Sequence, residues 1–181
     1  MKNSILCTFL FLFSIALYAQ DDPVNSDVKQ ASNEVKVNAL YMVIGAVDVT
    51  YERLLNEESG IGLNVFLPFD DDIKDDIDYY ISPYYRLYFG KKYASGFFLE
   101  GFGLLSSVKE NTLALVGGDI LVNREETVTD FALGIGLGGK WVTNNGFIGE
   151  VSFGVGRNLF NSNEFNNDFV AKLGISVGYR F

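Results

Sequence analysis

The chain of 181 residues contains no histidine, and its only cysteine is Cys7. Ser-His-Asp and Cys-His catalysis therefore have no base, and zinc sites built on His or Cys have no ligands. Basic residues are also in short supply, with 14 Lys plus Arg against 23 Asp plus Glu and a formal net charge of −9. That balance argues against nucleic acid as a partner, because phosphate binding draws on a basic surface. Beyond the N-terminal segment no apolar run reaches the length that a membrane helix needs, about 20 residues. What is abundant is glycine, 19 residues, together with 16 Phe and 10 Tyr in a chain that is 48% hydrophobic. This mix suits aromatic-rich strands better than helices.

Lys2 opens a short charged region, Ile5 to Leu17 is almost unbroken apolar sequence, and Leu17-Tyr18-Ala19 ends it on a small residue. The pattern predicts a signal peptide over residues 1–19, too short to span a bilayer as a helix, and hence an exported protein. The alternative is an uncleaved helical anchor. Cys7 lies inside the apolar run rather than at its end, so no lipid anchor is implied. Residues 20–33 are polar without an apolar period and are expected to form a flexible periplasmic lead-in.

From Glu34 onward the apolar period is 2, the signature of strands. At the C-terminal end Phe169, Ala171, Leu173, Ile175, Val177, Tyr179 and Phe181 alternate with Lys172, Gly174, Ser176, Gly178 and Arg180. Phe147 to Gly156 and Asp130 to Trp141 share this design, with apolar residues at odd positions and small or charged ones at even positions. A soluble sandwich gives no reason to cluster glycine on its exposed face. A small closed barrel in lipid does, because the narrow lumen must be filled by small and charged groups. A barrel is also the one remaining way to span a bilayer with every backbone group hydrogen-bonded.

The expected strands are 34–44, 46–55, 60–69, 77–90, 96–109, 128–142, 147–159 and 168–181. They form an all-β, eight-stranded, antiparallel up-and-down transmembrane β-barrel over residues 34–181. The first hairpin is marked only by Gly45, and residues 34–55 read either as two strands or as one bent strand; an even strand count selects two. Short connectors at 56–59, 91–95 and 143–146 alternate with longer ones at 70–76, 110–127 and 160–167. This places the termini and short turns in the periplasm. Phe89, Phe97, Trp141, Phe147 and Phe181 form the expected periplasmic aromatic girdle, with Tyr79, Phe131 and Phe169 as outer counterparts.

The C-terminal alternation Leu173, Ile175, Val177, Tyr179 and Phe181, ending on Phe with Tyr two residues before it, resembles the assembly signal of bacterial outer-membrane barrels. Together with Lys36-Val37-Asn38, Gly45, Tyr51-Glu52-Arg53, Tyr84-Tyr85-Arg86-Leu87-Tyr88-Phe89 and Gly178-Tyr179-Arg180-Phe181, it resembles a Bacteroidota outer-membrane barrel family. The resemblance spans about residues 34–181. It implies an outer-membrane location and recognition of the last strand by the barrel assembly machinery, and it carries over no chemistry.

If even positions face inward, the lumen holds Lys36, Asp48, Glu52, Arg86, Glu100, Lys140, Glu150, Lys172 and Arg180. Four acids and five bases in a narrow interior predict a paired, space-filling network, with a proton or ion path as the alternative. Glu100 fits this rule least well, since Phe98, Phe102 and Leu104 share its face. Gly134, Gly136 and Gly139 match G-x-G-x-x-G, but strand sequence follows where a dinucleotide site needs a helix. Asp70, Asp71, Asp72, Asp75 and Asp76 form an acidic run that reads as solvated loop charge; a divalent cation bridging lipopolysaccharide is the alternative. The connector 110–127 reads as a β-ribbon able to receive an extracellular partner by strand addition, or to rest on neighbouring loops and headgroups.

These features predict a barrel with a structural or surface-interaction role, in contact with outer-membrane lipid and lipopolysaccharide, without cofactor, metal or catalytic residues. The alternatives are a lipid-modifying enzyme using carboxylates, a narrow pore and a soluble periplasmic ligand carrier.

Overall fold

The computed structural model describes residues 31–74, 77–116, 120–159 and 169–181. The expected signal peptide, most of the expected lead-in, residues 117–119 and 160–168, and Asp75 and Asp76 lie outside the described residues. Eight antiparallel strands close into one barrel in chain order. They are β1 (Asn33–Asn38), β2 (Ala46–Leu54), β3 (Ser59–Pro68), β4 (Ile77–Tyr88), β5 (Gly96–Val116), β6 (Ile120–Val142), β7 (Phe147–Asn158) and β8 (Phe169–Arg180). Closure comes from β1 against β8, and Asn33 and Phe181 exchange backbone hydrogen bonds of 3.0 and 2.8 Å at the seam. Both ends of the barrel segment therefore lie at the rim of the three short links 55–58, 89–95 and 143–146.

The expected strand 34–44 requires correction. β1 begins at Asn33 and stops at Asn38, and Ala39–Ile44 is a short helix, α1. Asn38 caps it by accepting from the Leu40 N–H at 3.1 Å, and Gly45 ends it in the left-handed region at φ 106. The same Asn38 side chain donates to the Leu173 carbonyl at 3.1 Å and accepts from the Ile175 N–H at 3.3 Å. One amide thus continues the β1–β8 ladder after the backbone has left it. The apolar residues Met42, Val43 and Ile44 that mimic a strand in sequence are an exposed helical surface. The first hairpin is thus joined by the seven residues 39–45 rather than by a turn at Gly45 alone.

β5 and β6 run beyond the barrel as a paired ribbon to Val116 and Ile120, as the sequence of 110–127 suggests. A second short helix, α2 (Asp71–Lys74), follows β3 at the same rim.

The alternation of faces follows the even-inward expectation. Leu63, Leu99, Leu133, Ile135, Leu137, Val151, Phe153, Leu173 and Val177 are exposed on the outside, whereas Glu52, Arg86, Lys140 and Glu150 are buried within. Phe98, Phe102 and Leu104 also face inward, so the strand of Glu100 obeys the rule rather than breaking it. The inward glycines make room for them. Gly134, Gly136 and Gly138 on β6 pair with Phe102, Glu100 and Phe98 on β5, and a Cβ at Gly138 or Gly134 would overlap the facing ring. Narrowness of the lumen thus explains both the glycine excess and its even register.

Candidate functional site

The lumen is layered. At the short-turn end Leu54, Tyr88, Ala94 and Phe98 form a small apolar cluster. Ala94 is tucked beneath the barrel by the 89–95 link, in the left-handed region at φ 41. Arg180 donates to the Tyr93 and Ala94 carbonyls at 3.0 and 2.9 Å and so clamps the link in the mouth. At the opposite end Ala46, Phe66, Tyr80, Tyr84, Phe102, Leu104 and Ala132 form a second cluster, covered by Tyr41 of α1 and Ile73 of α2. Phe66 stacks on Tyr80 at 4.7 Å between centroids, and Tyr41 meets Phe66 edge-on at 5.3 Å. Burial raises the Tyr41 phenol above its ordinary value, which keeps it neutral at this cap.

Charge lies between these clusters. Lys36 Nζ donates to Glu52 and Glu150, both at 2.7 Å. Arg86 reaches Glu150 at 2.8 Å, Glu52 at 3.3 Å and Glu100 at 2.6 Å. Lys140 donates to Glu34 at 2.7 Å and Glu52 at 3.3 Å, and Arg180 closes on Glu34 at 2.6 Å. Glu52 is the hub, since it also accepts from Tyr84 at 2.9 Å and from Tyr88. Cations lie over aromatic faces as well: Arg86 is 3.8 Å from the Phe98 centroid, Lys140 is 4.2 Å from that of Tyr88, and Lys172 is 4.5 Å from that of Phe102. Isolated charges in such a space carry a large desolvation cost, which is offset only by close pairing and extra hydrogen bonds.

Toward the capped rim the packing loosens. Asp48 accepts from Tyr80 at 2.6 Å and from Asn64 at 2.5 Å, and Lys172 reaches Ser82 at 3.0 Å and Glu100 at 3.6 Å. Beside them is a cavity of about 40 Å³ lined by Asp48, Asn64, Glu100, Lys172 and Ser176 among others. The buried Asn64 Oδ1 has no hydrogen-bond partner among the described residues. Such a space has room for a few waters.

The structure brings all nine expected lumen residues together: Lys36, Asp48, Glu52, Arg86, Glu100, Lys140, Glu150, Lys172 and Arg180. The sequence reading left out Glu34, which is fully buried. Asp130, buried at an even position on β6, was left out as well. The signal in the sequence was parity: Glu34 is even and stands two residues before Lys36, and Asp130 is even in the strand that carries Lys140. Also left out were the hydroxyls of Tyr80, Tyr84 and Tyr88, which share even positions on β4 with Arg86.

The remaining candidates stay apart from this network. Gly134, Gly136 and Gly139 lie within β6, with no helix following them. In the acidic run Asp71 pairs with Lys74 at 3.1 Å, and no group of three metal-ligating side chains occurs among the described residues.

A polar interior and an apolar exterior reverse the arrangement of a soluble barrel that carries an apolar ligand. They match the construction of eight-stranded outer-membrane barrels. The fold is similar to the N-terminal β-barrel domain of Pseudomonas aeruginosa OprF, with a TM-score of 0.53, 16% identity, and coverage of 84% of this chain and 98% of that one. Neisserial surface protein A aligns over 84% of this chain and 95% of its own with a TM-score of 0.44 and 13% identity. No family model and no curated protein sequence matches the chain.

Proposed function

We propose that the protein is a small outer-membrane β-barrel with a structural or surface-interaction role, a sealed lumen and no enzymatic activity. The observation that carries this reading is the closed charge network inside an apolar wall: Glu34, Glu52, Glu100 and Glu150 are each held by lysine or arginine. A carboxylate acting as general base needs a free lone pair within reach of substrate, and here those lone pairs are directed at fixed cations. The outward apolar faces support membrane insertion, as do the exposed Phe89, Phe97, Trp141, Phe147 and Phe181 around the short-turn rim. Short turns at one rim and long connectors at the other support periplasmic termini. The last strand, with Leu173, Ile175, Val177, Tyr179 and Phe181 outward, is then the segment that the assembly machinery meets. The β5–β6 ribbon is the element best placed for an extracellular partner, through its backbone edges.

Membrane fractionation with gel mobility before and after boiling tests the reading. A band in the outer-membrane fraction that shifts on heating is expected, and release into the soluble fraction without detergent would overturn it. In planar bilayers the protein should give no discrete openings; stable single-channel steps would replace the sealed barrel with a pore. Conversion of labelled lipid A or phospholipid, abolished by Glu100→Ala or Glu150→Ala, would make it an enzyme.

A further inference from the structure

The apolar belt is not uniform. On its outer face β2 to β5 enclose an indentation of about 530 Å³, walled by Tyr51, Ile61, Leu63, Pro83 and Tyr85 and bounded by Arg53 and Gly101. Its depth follows from the sequence. Gly101 faces outward with open space where a Cβ would be, and the β4–β5 register has no pair between Ile81/Leu105 and Tyr84/Phe102, the interval that contains Pro83. Proline has no N–H to give to the ladder and presents only a flat ring. A second outer indentation of about 550 Å³, between Phe97, Trp141 and Phe153, has no charged side chain in its lining.

Arg53 makes the first one different. It is exposed on the outer face near the short-turn rim, where its Nη1 donates to Asn33 Oδ1 at 2.8 Å. No carboxylate pairs with it among the described residues. The register carries a row from Arg53 to Ile61, Tyr85 and Gly101. Because barrel strands are tilted, this row climbs from the rim toward the middle of the belt.

We propose that this groove is a binding site for one glycerophospholipid of the inner leaflet, its phosphate on Arg53 and an acyl chain lying along Ile61, Tyr85 and Gly101. The proposal rests on the membrane location and periplasmic termini argued above. A guanidinium suits a phosphate because it offers several donors in one plane and keeps its charge at an interface. The volume lies within the range of small-ligand sites. The occupant is a phospholipid rather than lipid A because Arg53 sits at the end assigned to the periplasm.

Native mass spectrometry of the barrel released from maltoside micelles provides the test, with phosphatidylglycerol titrated in and a heat-shift gel confirming the fold of each variant. One retained lipid is expected for the wild type and for Lys91→Ala, a cation in the neighbouring turn. Retention should fall about tenfold in Arg53→Ala and in Gly101→Leu, and diacylglycerol, which lacks the phosphate, should bind like the Arg53 variant. Equal retention in wild type and Arg53→Ala would overturn the site, as would preferential retention of lipid A or protein dimers lost in Gly101→Leu. If the protein partitions into the soluble fraction, the membrane reading fails first; a heat-shifting membrane protein that retains no lipid sinks only the groove.

Discussion

The two halves of the lumen solve the same packing problem differently. Near the short turns, Glu34, Lys36, Glu52, Arg86, Lys140 and Glu150 fill the space with ion pairs. Toward α1 the charges are fewer and lean on neutral partners: Asp48 accepts from Tyr80 and Asn64, Lys172 donates to Ser82, and a cavity of about 40 Å³ remains. Arg86 and Glu150 border that cavity too, but Lys36, Glu52 and Lys140 do not, and their charges are compensated by partners that are themselves buried. The second half can admit water when a partner is lost.

The contrast is most exposed to test at Glu52. Glu52→Ala leaves Lys36, Arg86 and Lys140 short of a shared partner, and removing one member of a buried pair costs about 3–5 kcal/mol. A lower urea midpoint at unchanged slope in micelles is the expected readout. A loss below that of Asp48→Ala would erase the distinction between the halves.

The next largest effect concerns room rather than charge. Gly138→Ala drives a methyl group into the Phe98 ring and the Val151 carbonyl, and overpacking of this kind costs about 1–3 kcal/mol. Gly149→Ala, with nothing within reach of the added Cβ, should be close to neutral in the same measurement. Equal costs at the two positions would break the link between inward glycine and lumen width.

The smallest effect is expected in the loose half. Asp48→Ala takes the acceptor from Tyr80 and Asn64, but water in the adjoining cavity can replace it, so the loss should be about 1 kcal/mol. A cost matching Glu52→Ala would show that the cavity is not open to solvent.

The fold was largely legible because period-2 alternation survives whatever the strands pack against. Leu173 to Phe181 could not lie flat in a sheet without separating apolar from polar side chains, and the same parity placed Glu100 correctly even where Phe98 and Phe102 obscured it. The first link was misread for the complementary reason. Residues 39–44 are apolar enough for a strand, and what makes them helical is Asn38, whose amide bonds both α1 and the β8 backbone. Such a two-way partnership exists only after β1 and β8 have met. The groove was equally hidden: the sequence shows Pro83, Gly101 and Arg53 far apart, and only the register aligns them.

By itself, the sequence determined which face of each strand is greasy and which is charged, because side-chain direction along a strand is set by local geometry. Tertiary closure decided which charges are neighbours. Lys36 and Glu150 lie on strands that do not adjoin each other in the sheet, and Glu34 meets Lys140 across the lumen. Pairings between residues so far apart in the chain depend on the barrel's curvature and register, which belong to the assembled sheet and to no segment of it.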